Sequence, residues 1–168
     1  CFLEKNLEFH LLGNHLLKNI KALIFAWCFF QGDPARKWLR KGMDLLYNQV
    51  KEQILPDGGH FERSPMYHCI VLEDLLDIIN LLCACKKREE IQDWLRNKAL
   101  IMIDWLRNIL HPDGNIPLFN DSAFKIAPYP DELFKYAEDI LGHERKSLCQ
   151  EIISMEELSS SVKFQDEK

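Results

Sequence analysis

The sequence states one turn twice. Ile54-Leu55-Pro56-Asp57-Gly58 returns as Leu110-His111-Pro112-Asp113-Gly114, an offset of 56 positions. Pro fixes the backbone ahead of the bend, Asp accepts from nearby amides and Gly takes positive φ, so each copy ends a helix and turns the chain. Long segments of helical periodicity surround both copies. Leu39, Met43, Leu46 and Val50 form one stripe, and Ile91, Leu95, Met102, Leu106 and Ile109 another. A repeat holding two helices cannot bury its apolar faces alone, which predicts stacked hairpins in a solenoid or a closed toroid.

The expected fold is therefore all-α, with no β-sheet. A first helix, apolar around most of its circumference, is expected from about Glu8 to Phe30. Gly32-Asp33-Pro34 closes it, and Asp33 is the expected N-cap of the second helix with Pro34 at its first position. Ser64-Pro65 restarts the chain for a deeply buried third helix, Met66 to about Cys85. A fourth spans about Glu90 to Leu110, a shorter fifth follows Pro130, and a polar helix is expected over Glu144 to Leu158. Residues 1–158 form one helical domain in this reading, and 159–168 a polar tail.

Charge and cysteine usage narrow the function classes. A net charge of −5 argues against a nucleic-acid partner, which calls for a basic surplus on one face. The longest apolar run, Ala22 to Phe30, is too short to span a bilayer. Cys1, Cys28, Cys69, Cys83, Cys85 and Cys149 make no C-x-x-C pair. Those at 28, 69 and 83 lie in apolar helical sequence and read as core thiols, not as a zinc site or disulfide framework, which favours a reducing compartment.

Polar chemistry gathers after the turns. Gly59-His60-Phe61-Glu62-Arg63-Ser64-Pro65-Met66-Tyr67-His68 carries more functional groups than a loop needs, and Asn115 to Ser122 follows the second turn. In stacked hairpins of one hand both loops emerge at the same end. His10, Gly13, Asn14 and His15 add a polar patch inside the first apolar segment.

Leu11-Leu12-Gly13-Asn14-His15-Leu16-Leu17, then Pro56 through His68, then Leu118-Phe119-Asn120-Asp121, resemble the helical domain of heparinase II/III-type polysaccharide lyases. The resemblance implies an incomplete (α/α) toroid, continued in the parent protein by a β-sheet domain, with an acidic, uronate-containing polysaccharide bound between them. It implies β-elimination with no cofactor or metal, and a periplasmic parent, against the cysteine reading of a cytoplasmic one. Asn14 matches the residue that neutralises the uronate carboxylate and Tyr67 the base. His60 and His68 are further candidates for proton transfer, and Arg63, His15, Glu62 and Asn120 for sugar binding. Cations from Arg63 and the two histidines would stabilise a phenolate at Tyr67. With only part of the cleft present, this chain alone is expected to be weak or inactive.

Plainer readings accompany each assignment. Tyr67 opens a buried helix, where tyrosines are commonly core residues with a satisfied hydroxyl. Asn14 and the histidines fit structural hydrogen bonding, Arg63 a loop staple to Glu62 or Asp57, and Trp27, Trp38, Trp94 and Trp105 the core. Two rival functions follow: a glycoside hydrolase on the same toroid, using carboxylates such as Glu62 and Asp121, and a non-catalytic helical-repeat module that binds sugar or serves as a scaffold. Zinc at His60, Glu62 and His68 fits no established ligand spacing.

Overall fold

The computed structural model describes residues 2–11, 13–85 and 89–142. Its helices are α1 (Phe2–Lys5), α2 (Gly13–Phe29), α3 (Asp33–Gln53), α4 (Pro65–Ala84) and α5 (Glu89–Ile109), followed by α6 over residues 130–142. Among the described residues there is no sheet. A single antiparallel bridge, Ile54 to His60, closes the first turn. The helix and tail expected beyond residue 142 lie outside the described residues.

The hairpins stack as the repeat requires. α2 packs on α3 and on α4, and α4 packs on α5. Leu16, Ile20, Leu23 and Ile24 of α2 meet Met43, Leu46 and Val50 of α3. α4 is the most deeply buried element, with Cys69, Leu72, Leu76, Ile79 and Leu82 all at 0% exposure, because it lies between neighbours on several sides. α2 and α4 pack side by side, α3 covers α2, α5 covers α4, and α6 reaches α4 through Tyr136. The result is an arc of two hairpins and the start of a third, the geometry of an incomplete (α/α) toroid.

A polar ladder sets the register between hairpins. Lys18 Nζ of α2 donates to Asp74 Oδ1 of α4 at 2.7 Å, and Lys21 Nζ donates to the same oxygen at 2.8 Å. Lys21 also pairs with Asp77. Asp77 Oδ1 in turn accepts from the Tyr136 hydroxyl of α6 at 2.7 Å, and Asn80 donates to that hydroxyl at 3.3 Å. Burial opposes the charge on Lys21, but its hydrogen bonds and attraction to Asp74 and Asp77 outweigh that and raise its pKa.

Two expected boundaries move. α2 begins at Gly13 and not near Glu8, because Gly13 has φ +55° and the chain before it turns through Leu7 to Leu11. At the start of α3 the N-cap is Gly32, without a side-chain bond. Asp33 lies one residue inside, with its carboxylate paired to Arg36. The other helices begin and end within a residue or so of expectation. Cys28, expected in the core, is exposed in the last turn of α2.

Candidate active site at the loop end of the hairpins

The two Pro-Asp-Gly turns fold alike. In the first, Leu55 N donates to Gly59 O and Gly58 N to Leu55 O, both at 2.9 Å. In the second, His111 N donates to Asn115 O at 3.0 Å and Gly114 N to His111 O at 2.8 Å. Asp57 Oδ1 accepts from Gly59 N, and Asp113 Oδ1 from Asn115 N, each at 3.0 Å. Gly58 and Gly114 take φ +90° and +82°. The aspartates are turn-formers, as their context suggested.

Beyond the turns the loops fasten to each other. Ser64 Oγ, the N-cap of α4, lies 2.9 Å from Ser122 Oγ, which also accepts from Met66 N at 3.2 Å. Asn120 Nδ2 donates to the carbonyls of Glu62 (3.2 Å) and Arg63 (2.8 Å). Both loops therefore open on one face, the end expected from the repeat.

The start of α2 joins this face through Gln53 and Glu62. Gln53, 1% exposed, donates from Nε2 to Gly13 O at 3.1 Å and to Gln49 Oε1 at 2.7 Å, while its Oε1 lies 3.1 Å from His60 Nε2. Its amide orientation makes His60 the donor there. Glu62 lies over Gly13, whose missing Cβ would stand 2.1 Å from Glu62 Oε1. Asn14, in the first turn of α2, and Tyr67, in the first turn of α4, are thus held at the same end of the stack. Both are half-buried, so neither is sealed in the core. Tyr67 N donates to Ser64 Oγ at 3.4 Å. Its phenol hydroxyl and the Asn14 amide have no hydrogen-bond partner among the described residues.

Both histidines lie in the interior. His60 is 1% exposed and His68 0%. His68 Nε2 donates to Met102 O at 3.0 Å, and its ring stacks on Trp105 with centroids 4.5 Å apart. Burial pushes the His60 pKa down to about 4. Burial, against the Met102 bond, takes His68 down to about 3. Both are neutral at pH 7, so the expected imidazolium charge beside Tyr67 is absent and neither ring is placed to meet a sugar. They brace the loop.

The remaining candidates divide. Arg63 is exposed at φ +54° and makes no ion pair among the described residues, so no staple to Glu62 or Asp57 holds the loop. Asn120 does that work, with its amide nitrogen committed to the two carbonyls. His15 is exposed and Glu62 half-buried. The Glu62 pKa is raised by burial first and by Asp121 second, against the pull of His15. No group of three His, Cys, Asp or Glu side chains converges as a metal site among the described residues. Gln53 and Ser122 are the two site residues sequence reasoning passed over. Ser122 had a signal, since it follows the second turn nearly as Ser64 follows the first.

Residues 1–138 match the family model described as the heparinase II/III N-terminus. A heparin-sulfate lyase of Bacteroides stercoris is 30% identical over 111 residues, 66% of this chain and 17% of that protein. A heparin-sulfate lyase of Pedobacter heparinus has the same identity and coverage. A solved heparinase III superposes with a TM-score of 0.66 at 24% identity, over 83% of this chain and 22% of that one; it speaks to the fold. The chain spans about 17% of the length of the curated relatives it matches.

Proposed function

The chain belongs to the heparinase II/III family, and from that premise we propose that it supplies the helical wall of a cleft that cleaves uronate-containing polysaccharide by β-elimination. The observation behind this reading is that the first turns of α2 and α4, bearing Asn14 and Tyr67, stand at the same end of the stack, beside loops braced by Gln53, Asn120 and Ser122. The dipoles of α2 and α4 favour an anion near their first turns, which suits a uronate carboxylate.

In this mechanism Asn14 donates to the substrate carboxylate, and Arg63 pairs with its charge or a neighbouring one. Neutralised in this way, the carboxylate allows loss of the C5 proton, because the developing enolate is stabilised. Tyr67 as phenolate takes that proton. The electron pair becomes the C4–C5 double bond as the C4–oxygen bond breaks, and the Tyr67 hydroxyl returns a proton to the leaving oxygen. His15 and the free oxygen of the Asn120 amide extend the sugar-binding surface. His60 and His68, neutral and enclosed, keep the Tyr67 loop in place. A β-sheet domain of the parent protein closes the cleft, and the periplasm is the compartment that fits an external polysaccharide.

A second reading has one observation behind it. Glu62, with its raised pKa and Asp121 as a neighbouring carboxylate, is the kind of acid a glycoside hydrolase uses. The products separate the two, since only elimination leaves an unsaturated uronide absorbing in the near ultraviolet. Heparin-sulfate, the substrate in the relatives' names, is the first to test. The parent protein is expected to produce that absorbance. Tyr67→Phe should abolish it with the fold intact, and Asn14→Ala should slow it on the order of a hundredfold, as for a lost oxyanion donor. Full activity in Tyr67→Phe, or reducing ends without absorbance, would overturn the elimination reading. The chain alone is expected to bind such a sugar weakly and turn it over little.

A further inference from the structure

At the end of the stack away from the loops, two cysteines from successive hairpins face each other. Cys28 lies in the last turn of α2 and Cys85 at the C-cap of α4. Their sulfurs are 3.5 Å apart, although 57 positions separate them in sequence. The pairing follows the register that Lys18–Asp74 and Lys21–Asp77 impose on the same two helices. A disulfide needs about 2.05 Å between sulfurs, so closure asks for roughly 1.5 Å of movement. Rotation about the two Cα–Cβ bonds is the movement that closure calls for.

We propose that Cys28 and Cys85 are an oxidation site, closing a disulfide that staples the first hairpin to the second. Cys28 is exposed, so a low-molecular-weight disulfide can reach it. The Cys28 thiolate attacks that disulfide, forming a mixed disulfide and expelling one thiolate. The Cys85 thiolate then attacks the Cys28 sulfur and expels the second, so two protein thiols lose two protons and two electrons to the small disulfide. The other two described thiols are placed differently. Cys69 is buried, with its pKa pushed up to about 12. Cys83 accepts from Arg96 Nη2 at 3.0 Å and donates to Gln92 Oε1 at 3.4 Å. The pair also weakens the argument from unpaired cysteines for a reducing compartment.

The test oxidises the full chain with glutathione disulfide, alkylates remaining thiols and maps peptides without reduction. The expected product joins the Cys28 peptide to the Cys85 peptide. Closing a loop of this length should raise the melting temperature by on the order of 10 °C, reversed by dithiothreitol. Cys28→Ser and Cys85→Ser should each abolish both effects, and Cys83→Ser should leave them. Cys28 joined to any other cysteine, Cys28 left as a stable glutathione adduct, or a melting gain that survives in Cys28→Ser would overturn the proposal. The peptide map of the unmutated chain decides the matter even if a serine variant folds poorly.

Discussion

His60 and His68 can be neutral and enclosed, or charged and hydrated, but not charged where they are. Each ring has one hydrogen-bonded nitrogen, and Nδ1 of each is buried without a partner. The folded chain therefore holds both pKa values far below the ordinary 6.5, at about 4 and about 3. A depressed histidine pKa means the unfolded chain binds more protons between the two values, so stability rises with pH across that window. Stability should be fully present above pH 6.5 and fall as pH drops toward 4, by on the order of 3 kcal/mol for each histidine. Urea unfolding at pH 7 and pH 4.5 reads this. His68→Gln should flatten the pH dependence, and an unchanged profile in that variant would count against the burial argument. In the sequence these residues read as proton-transfer groups because they flank Tyr67 and sit among other polar residues. Their partners, Gln53, Met102 and Trp105, come from other helices, and local spacing does not carry that information.

At the scale of the element, the helices of this chain were legible because long apolar stripes and Pro-Asp-Gly punctuation agree on where each one stops. The start of α2 was not. Leucine pairs at 11–12 and 16–17 flank Gly13-Asn14-His15 and read as one helix, and the break comes from positive φ at Gly13 together with Glu62 lying against it. The two turns show how surroundings grade equal local chemistry. A Cβ at Gly58 would stand 2.2 Å from the backbone oxygen of Ile101, whereas one at Gly114 meets nothing within 4 Å. Both substitutions strain the left-handed backbone, at about 1–2 kcal/mol. Only at Gly58 must α5 also shift, so Gly58→Ala should cost upward of about 3 kcal/mol and Gly114→Ala only the strain. Equal losses of stability in the two variants would mean the loop moves freely on α5.

At the scale of the whole chain, what joins hairpin to hairpin is an apolar core with a polar seam, and the seam is where the stack is most specific. Asp74 is 2% exposed and accepts from two lysines, while its second oxygen is buried without a partner. A buried carboxylate of this kind is costly by itself and tolerable only beside its cations, so the pair adds little net stability but much register. Removing one member is a different matter. Asp74→Ala leaves Lys21, four-fifths buried at its side chain, with Asp77 as its remaining anion. The expected loss is roughly 2–4 kcal/mol. Asp77→Ala should cost less, since that carboxylate is more exposed and Lys21 keeps Asp74. Enclosed charges are screened weakly, so the loss in Asp74→Ala should persist in 1 M salt at roughly its low-salt value. The exposed Arg36–Asp33 pair gives the contrast: Asp33→Ala should change stability by under about 1 kcal/mol at low salt, and by less at high salt. Denaturant titrations of both variants at two salt concentrations measure this directly. If the Asp74→Ala loss disappears in salt, the ladder is a solvated surface feature, and the register of the hairpins rests on apolar packing alone.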